Sequence, residues 1–153
     1  MPLVEFHTGV AEPVAFAYRL LRKAYRMGSR VLVTAPQPRL DELDHALWTT
    51  DERDFLAHAR MPGAVPAVAS RSPIWLALQA GLLMQEGGPK VLVNLGADLA
   101  DGDALGLCER VIEIVALDVD EAQAGRQRWR EYKALGWEIK HHGNAERAVD
   151  SGS

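Results

Sequence analysis

The sequence predicts one α/β domain, a three-layer sandwich built on a mostly parallel sheet. Apolar, β-branched runs alternate along the chain with amphipathic helical patterns, which is typical of that architecture. The chain has 153 residues, the length of one ordinary domain, and no linker long enough to divide it. We expect the domain to span residues 1–142 and the small, polar residues 143–153 to form a disordered tail.

The first half of the chain predicts two strands and two helices. Residues 4–7 alternate apolar and polar side chains, and residues 30–34 form a compact apolar run that suits a buried parallel strand. A first helix opens at Pro13, where the missing N–H costs nothing, and Gly28 fits the position just past its end. A second helix spans residues 39–48. Apolar residues at helical spacing give both helices a buried face: Val14, Ala17, Leu21 and Ala24 in the first, and Leu40, Leu43 and Leu47 in the second.

The second half of the chain predicts further strands and one long helix. Residues 74–78 fit either a strand or the start of a helix, and the pattern does not separate the two. Residues 90–95 repeat the buried-strand pattern, and residues 110–117 form a third such strand that is rich in β-branched side chains. The remaining elements are a last helix that is capped by Asp118 or Asp120 and ends at Gly136, and an edge strand over residues 137–139.

Composition and charge argue against some classes of protein. The chain has 17 Lys and Arg against 21 Asp and Glu, a net charge of −4, whereas a protein that grips a phosphate backbone usually carries a basic excess. Its longest apolar stretch falls well short of the ~20 residues that a membrane helix needs. No secretory signal is visible at the N-terminus, and the single cysteine, Cys108, cannot form an internal disulfide. We therefore expect a cytoplasmic protein without a membrane span.

The motifs of nucleotide-binding and hydrolytic enzymes are missing. No phosphate-binding loop is present, because Lys90 precedes a strand instead of a helix, and no G-x-G-x-x-G follows the first strand. Pro36 and Pro38 after the second strand remove N–H donors that a phosphate would need. No nucleophile elbow occurs, and Cys108, among apolar residues, is interpreted as a core residue. The predicted fold is nucleotide-binding-like but has no phosphate-binding loop. We therefore predict no catalytic residue and no cofactor.

No metal site is predicted either. His141 and His142 are adjacent, so on a strand they point to opposite faces. Asp98, Asp101 and Asp103 depart from the spacing of a calcium-binding loop and lack its bidentate glutamate. We interpret the first pair as surface histidines and the acidic loop as a solvated turn.

The last predicted helix concentrates positive charge and aromatic rings. Residues 126–133 hold four basic side chains against one acidic, and Arg126, Trp129, Arg130 and Lys133 share one face, with Tyr132 at its border. Such a surface suits single-stranded nucleic acid that stacks on the rings, or an acidic peptide that ends in an aromatic residue. The overall negative charge favours the peptide. The alternative is an ordinary solvated face whose two aromatic side chains point into the core.

Four blocks of the sequence occur in the order seen in a known family. They are residues 43–48 (LDHALW), residues 55–58 (FLAH), residues 91–95 (VLVNL), and the series Arg126, Arg128, Trp129, Tyr132, Lys133, Gly136 and Trp137. In these blocks the chain resembles the chi subunit (HolC) of bacterial DNA polymerase III holoenzyme, over residues 1 to 140. The first block and the final series are the most specific parts of the likeness.

This resemblance implies an accessory protein without catalytic activity. Chi belongs to the clamp-loader assembly, pairs with the psi subunit, and grips the acidic C-terminal tail of single-stranded DNA-binding protein, so its link to DNA is indirect. The family's fold is reminiscent of nucleotide-binding domains but lacks a working nucleotide site. We accordingly expect no cofactor. The expected binding partners are two proteins, the psi subunit and the single-stranded DNA-binding protein.

The resemblance also implies a set of tail-binding residues. Arg126 would pair with carboxylates of the tail, including the terminal one, and Val115, Trp129 and Tyr132 would line the seat of its terminal phenylalanine. Some relatives have a lysine where this chain has Ala122, so Arg128 or Arg130 would substitute for it, or binding would be weaker. Trp129 stands where the best-known relatives have a tyrosine. The expected site residues are Trp48, Phe55, Val115, Arg126, Arg128, Trp129, Arg130, Tyr132 and Gly136.

Overall fold

A seven-stranded, all-parallel sheet forms the centre of the molecule, with strand order β3-β4-β2-β5-β6-β1-β7. The structure is a computed structural model, and it describes residues 2–50, 55–84, 87–99 and 105–143. The strands are β1 (Leu3–Val10), β2 (Val31–Thr34), β3 (His58–Arg60), β4 (Ile74–Ala77), β5 (Val91–Asn94), β6 (Arg110–Ala116) and β7 (Ile139–His142). The predicted α/β class with a mostly parallel sheet is confirmed.

Helices cover both faces of the sheet. In the described ranges they are α1 (Pro13–Arg26), α2 (Gln37–Thr49), α3 (Pro66–Arg71) and α4 (Val119–Ala134), and a 3₁₀ turn spans Gly81–Leu83. One hydrophobic cluster joins α1 and α2 to the sheet, and a second joins α3 and α4 to its other face. Alternate residues of β6 serve the two clusters: Ile112 and Ile114 face α1, while Val111 and Val115 face α4. This is the predicted three-layer sandwich.

Several predicted elements differ in detail. Residues 74–77 are a strand, which settles the choice between strand and helix. The edge strand is β7 at 139–142, slightly later than predicted, because the turn that contains Gly136, with φ +78°, delays it. Strand β3 lies within residues 51–60, where the sequence is compatible with either a short helical or an extended piece, and only the middle one of its three residues is buried. Of the two predicted caps of the last helix, Asp118 is the N-cap, and its carboxylate accepts from the backbone N–H groups of Asp120 and Glu121 at 3.1 and 3.2 Å.

Other predictions concern single residues and the C-terminal tail. Cys108 is buried, and burial raises the pKa of its thiol to about 12, which agrees with a core role. No helix in the described part of the chain is long and apolar enough to cross a membrane. The predicted disordered tail, apart from Gly143, and the acidic positions Asp101 and Asp103 lie outside the described residues.

Candidate peptide-binding site

Close packing between α4 and β6 sets the position of the predicted binding helix. Gly125 of α4 lies directly against Val115 of β6, and a Cβ atom on Gly125 would come within 2.8 Å of Val115 Cγ1. The absence of a side chain therefore lets the helix approach the strand. Val115 itself is buried beneath the helix, with 3% of its surface exposed. A partner peptide would meet Val115 only if it entered between α4 and the strand end.

A buried polar network fixes α4 to the sheet. Glu113 of β6 is fully buried and accepts three hydrogen bonds: from Arg128 Nε at 2.9 Å, from Asn94 Nδ2 at 2.9 Å and from Tyr132 Oη at 2.8 Å. Burial raises the pKa of Glu113, and its three donors oppose that rise. Burial and the carboxyl group of Glu113 raise the pKa of Tyr132, which therefore stays a neutral phenol that donates.

Two predicted site residues consequently point inward. Tyr132 has 0% of its surface exposed and Arg128 has 6%. Neither presents a surface to a partner in this conformation. For Tyr132 this agrees with the alternative interpretation of the helix, in which its aromatic side chains point into the core. Any influence of these two side chains on binding acts through the position of α4. Their contact with a tail stays a prediction.

Trp129 is the aromatic side chain of α4 that reaches the surface. It is half-buried, with its ring centroid 4.9 Å from that of Phe6 on β1 and 5.7 Å from that of His141 on β7. The His141 ring meets it edge to face, and His141 Nε2 is held 2.7 Å from the hydroxyl of Thr8. Trp129 thus lies over the edge of the sheet formed by β1 and β7, with part of its ring open to solvent.

Positive side chains lie beside Trp129 on the exposed side of α4. Arg126, Arg130 and Lys133 are exposed, and together with Trp129 they form what we call the basic face of α4. Arg126 has no hydrogen bond or ion pair with any other described residue, and Arg130 has only a 3.4 Å contact with Gln127. The predicted grouping of these four side chains on one helix face is therefore present. Gly136, exposed, follows the helix in a left-handed conformation.

Trp48 and Phe55 form a separate aromatic patch. Their side chains are 60% and 51% exposed, and their ring centroids lie 4.9 Å apart. His58 supports the patch, because its ring meets Trp48 edge to face at 5.4 Å and its Nε2 lies 2.7 Å from Asp44 Oδ1. An open groove of about 460 Å³ adjoins the patch; its lining includes Trp48, Asp44, Arg60, Ala64 and Val68.

The aromatic patch and the basic face lie far apart. Trp48 belongs to α2, on one face of the sheet near the β3 edge, whereas α4 covers the other face over β6 and β1. Strands are spaced about 4.8 Å apart, so four to five strand intervals put about 20 Å between the two places. The structure does not bring Trp48 and Phe55 together with Arg126 and Trp129. The site implied by the resemblance is thus divided into two surfaces.

Among the described residues, side chains fill the crevice at the carboxyl ends of β5 and β6, which is the end of a parallel sheet where related folds hold nucleotides. At the carboxyl ends of β5 and β6 lies a cavity of only about 30 Å³, lined in part by Gly96, Val115 and Arg128. Arg39 occupies the adjoining space, where it donates to the Leu95 carbonyl at 3.0 Å and forms an ion pair with Glu121. The cavity has room for one or two water molecules and not for a nucleotide.

Comparison with known protein families places the chain. A family model described as DNA polymerase III chi subunit, HolC, matches residues 1–140. No curated protein matches the chain. The family match covers the whole sheet except the end of β7, and it includes both α4 and the aromatic patch. It indicates an accessory subunit of DNA replication, and the chain belongs to the family of the DNA polymerase III chi subunit, HolC.

Proposed function

We propose that this protein is a non-catalytic accessory subunit of the clamp-loader assembly of DNA polymerase III, and that its basic face binds the acidic C-terminal tail of single-stranded DNA-binding protein. The observation that carries this proposal is Arg126, an exposed guanidinium without a described partner, on the same helix face as the half-buried side chain of Trp129. Such a subunit works in the cytoplasm and contacts DNA only through its protein partners.

The two kinds of side chain on the basic face have different roles in this proposal. Arg126, Arg130 and Lys133 pair with the carboxylates of the tail, and the exposed part of Trp129 packs against its terminal phenylalanine. Ala122, which replaces a lysine of some relatives, contributes no charge. Arg130 is the better substitute for that lysine, because Arg128 is engaged with Glu113 while Arg130 is exposed.

Fluorescence anisotropy with a labelled acidic peptide ending in phenylalanine tests the proposal on the full chain. Arg126→Ala should weaken binding at least tenfold, and added salt should weaken binding by the wild type, because charge pairs dominate the contact. Arg71→Ala, which removes an exposed arginine at the end of α3, is the matched control and should bind as the wild type does. Unchanged binding by Arg126→Ala would refute the assignment of the basic face.

The aromatic patch favours a second partner at a different place. We propose that Trp48 and Phe55 contribute to pairing with the psi subunit, because large aromatic side chains more than half exposed beside an open groove are typical of a protein interface. Trp48→Ala should then reduce co-purification with psi while leaving affinity for the tail peptide unchanged. Loss of peptide binding in Trp48→Ala would show instead that the two surfaces serve one ligand.

Two other functions make different predictions. A nucleotide-processing enzyme would be stabilised by its ligand, by about 2.7 kcal/mol at a hundredfold excess over Kd, which a thermal-shift screen detects. The filled crevice beside Arg39 argues against this function. A direct binder of single-stranded DNA would bind an oligonucleotide in the absence of any protein partner. We expect neither response from the purified chain.

A further inference from the structure

We propose that Glu5, His7 and His142 form a binding site for a divalent transition-metal ion, with Zn²⁺ as the expected occupant. Glu5 and His7 are two residues apart on β1, so both side chains leave the same face of the sheet. His142 is the register partner of His7 on the neighbouring parallel strand β7. Strands from opposite ends of the chain thus bring three potential ligands together.

The distances between the ligand atoms suit a metal ion. The Nε2 atoms of His7 and His142 lie 3.8 and 3.9 Å from the same carboxylate oxygen, Oε2 of Glu5. The three ligand atoms all lie within 4.8 Å of one another. In a tetrahedral zinc site with ligands at about 2.0–2.2 Å, neighbouring ligand atoms are about 3.3 Å apart. Side-chain movements of about an ångström or less would therefore close this site around the ion.

The two imidazole rings are already stacked on each other, and the environment of His7 keeps its ring neutral. Their centroids lie 4.7 Å apart with an interplanar angle of 11°, and Phe16 of α1 supports the His7 ring at 5.2 Å. Burial and the neighbouring His142 lower the pKa of His7 to about 4. The His7 ring is therefore neutral at neutral pH and keeps a lone pair that a metal ion accepts.

Arg110 orients the carboxylate of Glu5. Its Nε and Nη2 donate to Oε1 and Oε2 of Glu5 at 2.9 and 3.0 Å. Burial raises the pKa of Glu5, but the hydrogen bond and the charge of Arg110 outweigh burial, so the pKa lies below its ordinary value and the carboxylate is ionised. When a metal ion takes Oε2, the bond from Arg110 Nε to Oε1 stays in place and holds the ligand, as outer partners of metal-bound carboxylates do.

The site is open to solvent and lies between the edge strand β7 and its neighbour β1. The His142 side chain is 43% exposed, so an ion reaches it from solvent, and water completes the coordination beside three protein ligands. In the described sheet β7 pairs with β1 alone. A metal ion would therefore tie this edge strand to its neighbour. On the other face of β7, His141 contacts Trp129, so the same strand also supports the basic face.

Metal titration of the full chain tests the proposal. The chelator-treated protein is titrated with Co²⁺, whose absorption reports tetrahedral coordination, and Zn²⁺ is then added to displace it. We expect one Co²⁺ per chain in the wild type and at least a tenfold loss of affinity in His142→Ala, an exposed position where truncation leaves the core intact. His141→Ala is the matched control, because it removes the adjacent histidine on the opposite face, and its Co²⁺ affinity should equal that of the wild type.

A second variant and a second readout complete the test. Glu5→Gln keeps the shape of the side chain but removes the anionic ligand, and it should lose affinity as His142→Ala does. Zn²⁺ should raise the unfolding temperature of the wild type and of His141→Ala but not of His142→Ala. Equal Co²⁺ affinity in the wild type and His142→Ala, or no stoichiometric binding by the wild type, would overturn the proposal.

Discussion

Arg128 Nε lies 2.9 Å from Glu113 Oε1, and this ion pair is buried between α4 and β6, with 7% and 0% of the two side chains exposed. An arginine in a strongly basic segment of the chain therefore serves the interior. This ion pair fixes the rotation of α4 about its own axis, and so it determines which way the basic face of the helix points. Arg126 is then exposed, and the half-buried Trp129 lies on the same flank of the helix.

Removing one partner of this pair should destabilise the protein strongly. Arg128→Ala leaves the buried carboxylate of Glu113 without its charged partner, and we expect a loss of about 3–5 kcal/mol in the free energy of unfolding. Urea denaturation measures the loss. Arg130→Ala, two residues along the same helix and exposed, is the control and should change stability by no more than about 0.5 kcal/mol. Similar stabilities for the two variants would contradict the inward role of Arg128.

Tyr132 and Trp129 should separate stability from binding. Tyr132→Phe removes one of three donors to Glu113 and should lower stability by about 1–3 kcal/mol, while affinity for the acidic peptide stays the same because the ring has no exposed surface. Trp129→Ala should lower peptide affinity at least tenfold because it removes the ring that, in the proposed function, packs against the terminal phenylalanine. Chemical denaturation and peptide anisotropy on both variants provide the measurements. A tenfold loss of peptide affinity in correctly folded Tyr132→Phe would show that the site reaches the interior.

The sequence predicts most strands and helices of this fold well, but it does not predict the order of the strands in the sheet. The buried runs at β2, β5 and β6 have a local signature, since strands covered on both faces are continuously apolar. Strand order has no such signature. The position of β1 between β6 and β7, and of β3 at the far edge, depends on contacts between distant segments. For this reason the separation of Trp48 from Arg126 was not foreseen.

The candidate site shows the same limit at the level of side chains. Helical spacing correctly placed Arg126, Trp129, Arg130 and Lys133 on one face, but it does not say which neighbouring residue turns toward the sheet. A usable signal was missed at Glu113, an acidic residue within a β-branched strand that must find donors when buried. The sequence also shows that the polar residues Glu5 and His7 are two positions apart. This spacing indicates a metal site only when β7 is known to pair with β1.

The contact between Gly125 and Val115 predicts an unusual response to alanine. In an exposed helix interior Gly→Ala stabilises by about 1 kcal/mol. At Gly125 the added Cβ would lie 2.8 Å from Val115 Cγ1, so Gly125→Ala should instead destabilise, by about 1–3 kcal/mol. The double variant Gly125→Ala/Val115→Ala relieves the overlap, and in a double-mutant cycle the two changes should couple favourably. Strictly additive effects in thermal or urea unfolding would contradict the close approach of α4 to β6.

His7 should make the protein less stable in mild acid. Its pKa falls from the ordinary 6.5 to about 4 in the folded state, because of burial and the charge of His142. Between these two values the unfolded chain binds more protons than the folded one, so this contribution to stability is complete near pH 7 and is lost as the pH falls toward 4. We expect the free energy of unfolding to fall by about 1–2 kcal/mol. This is less than the full shift in the pKa of His7 implies, since the ring keeps some contact with solvent. Urea denaturation at several pH values, with chelator present to exclude metal binding, measures it. His7→Gln should flatten this part of the profile, whereas His45→Gln, exposed on α2, should leave it unchanged; an equally steep profile in His7→Gln would assign the acid sensitivity to other groups.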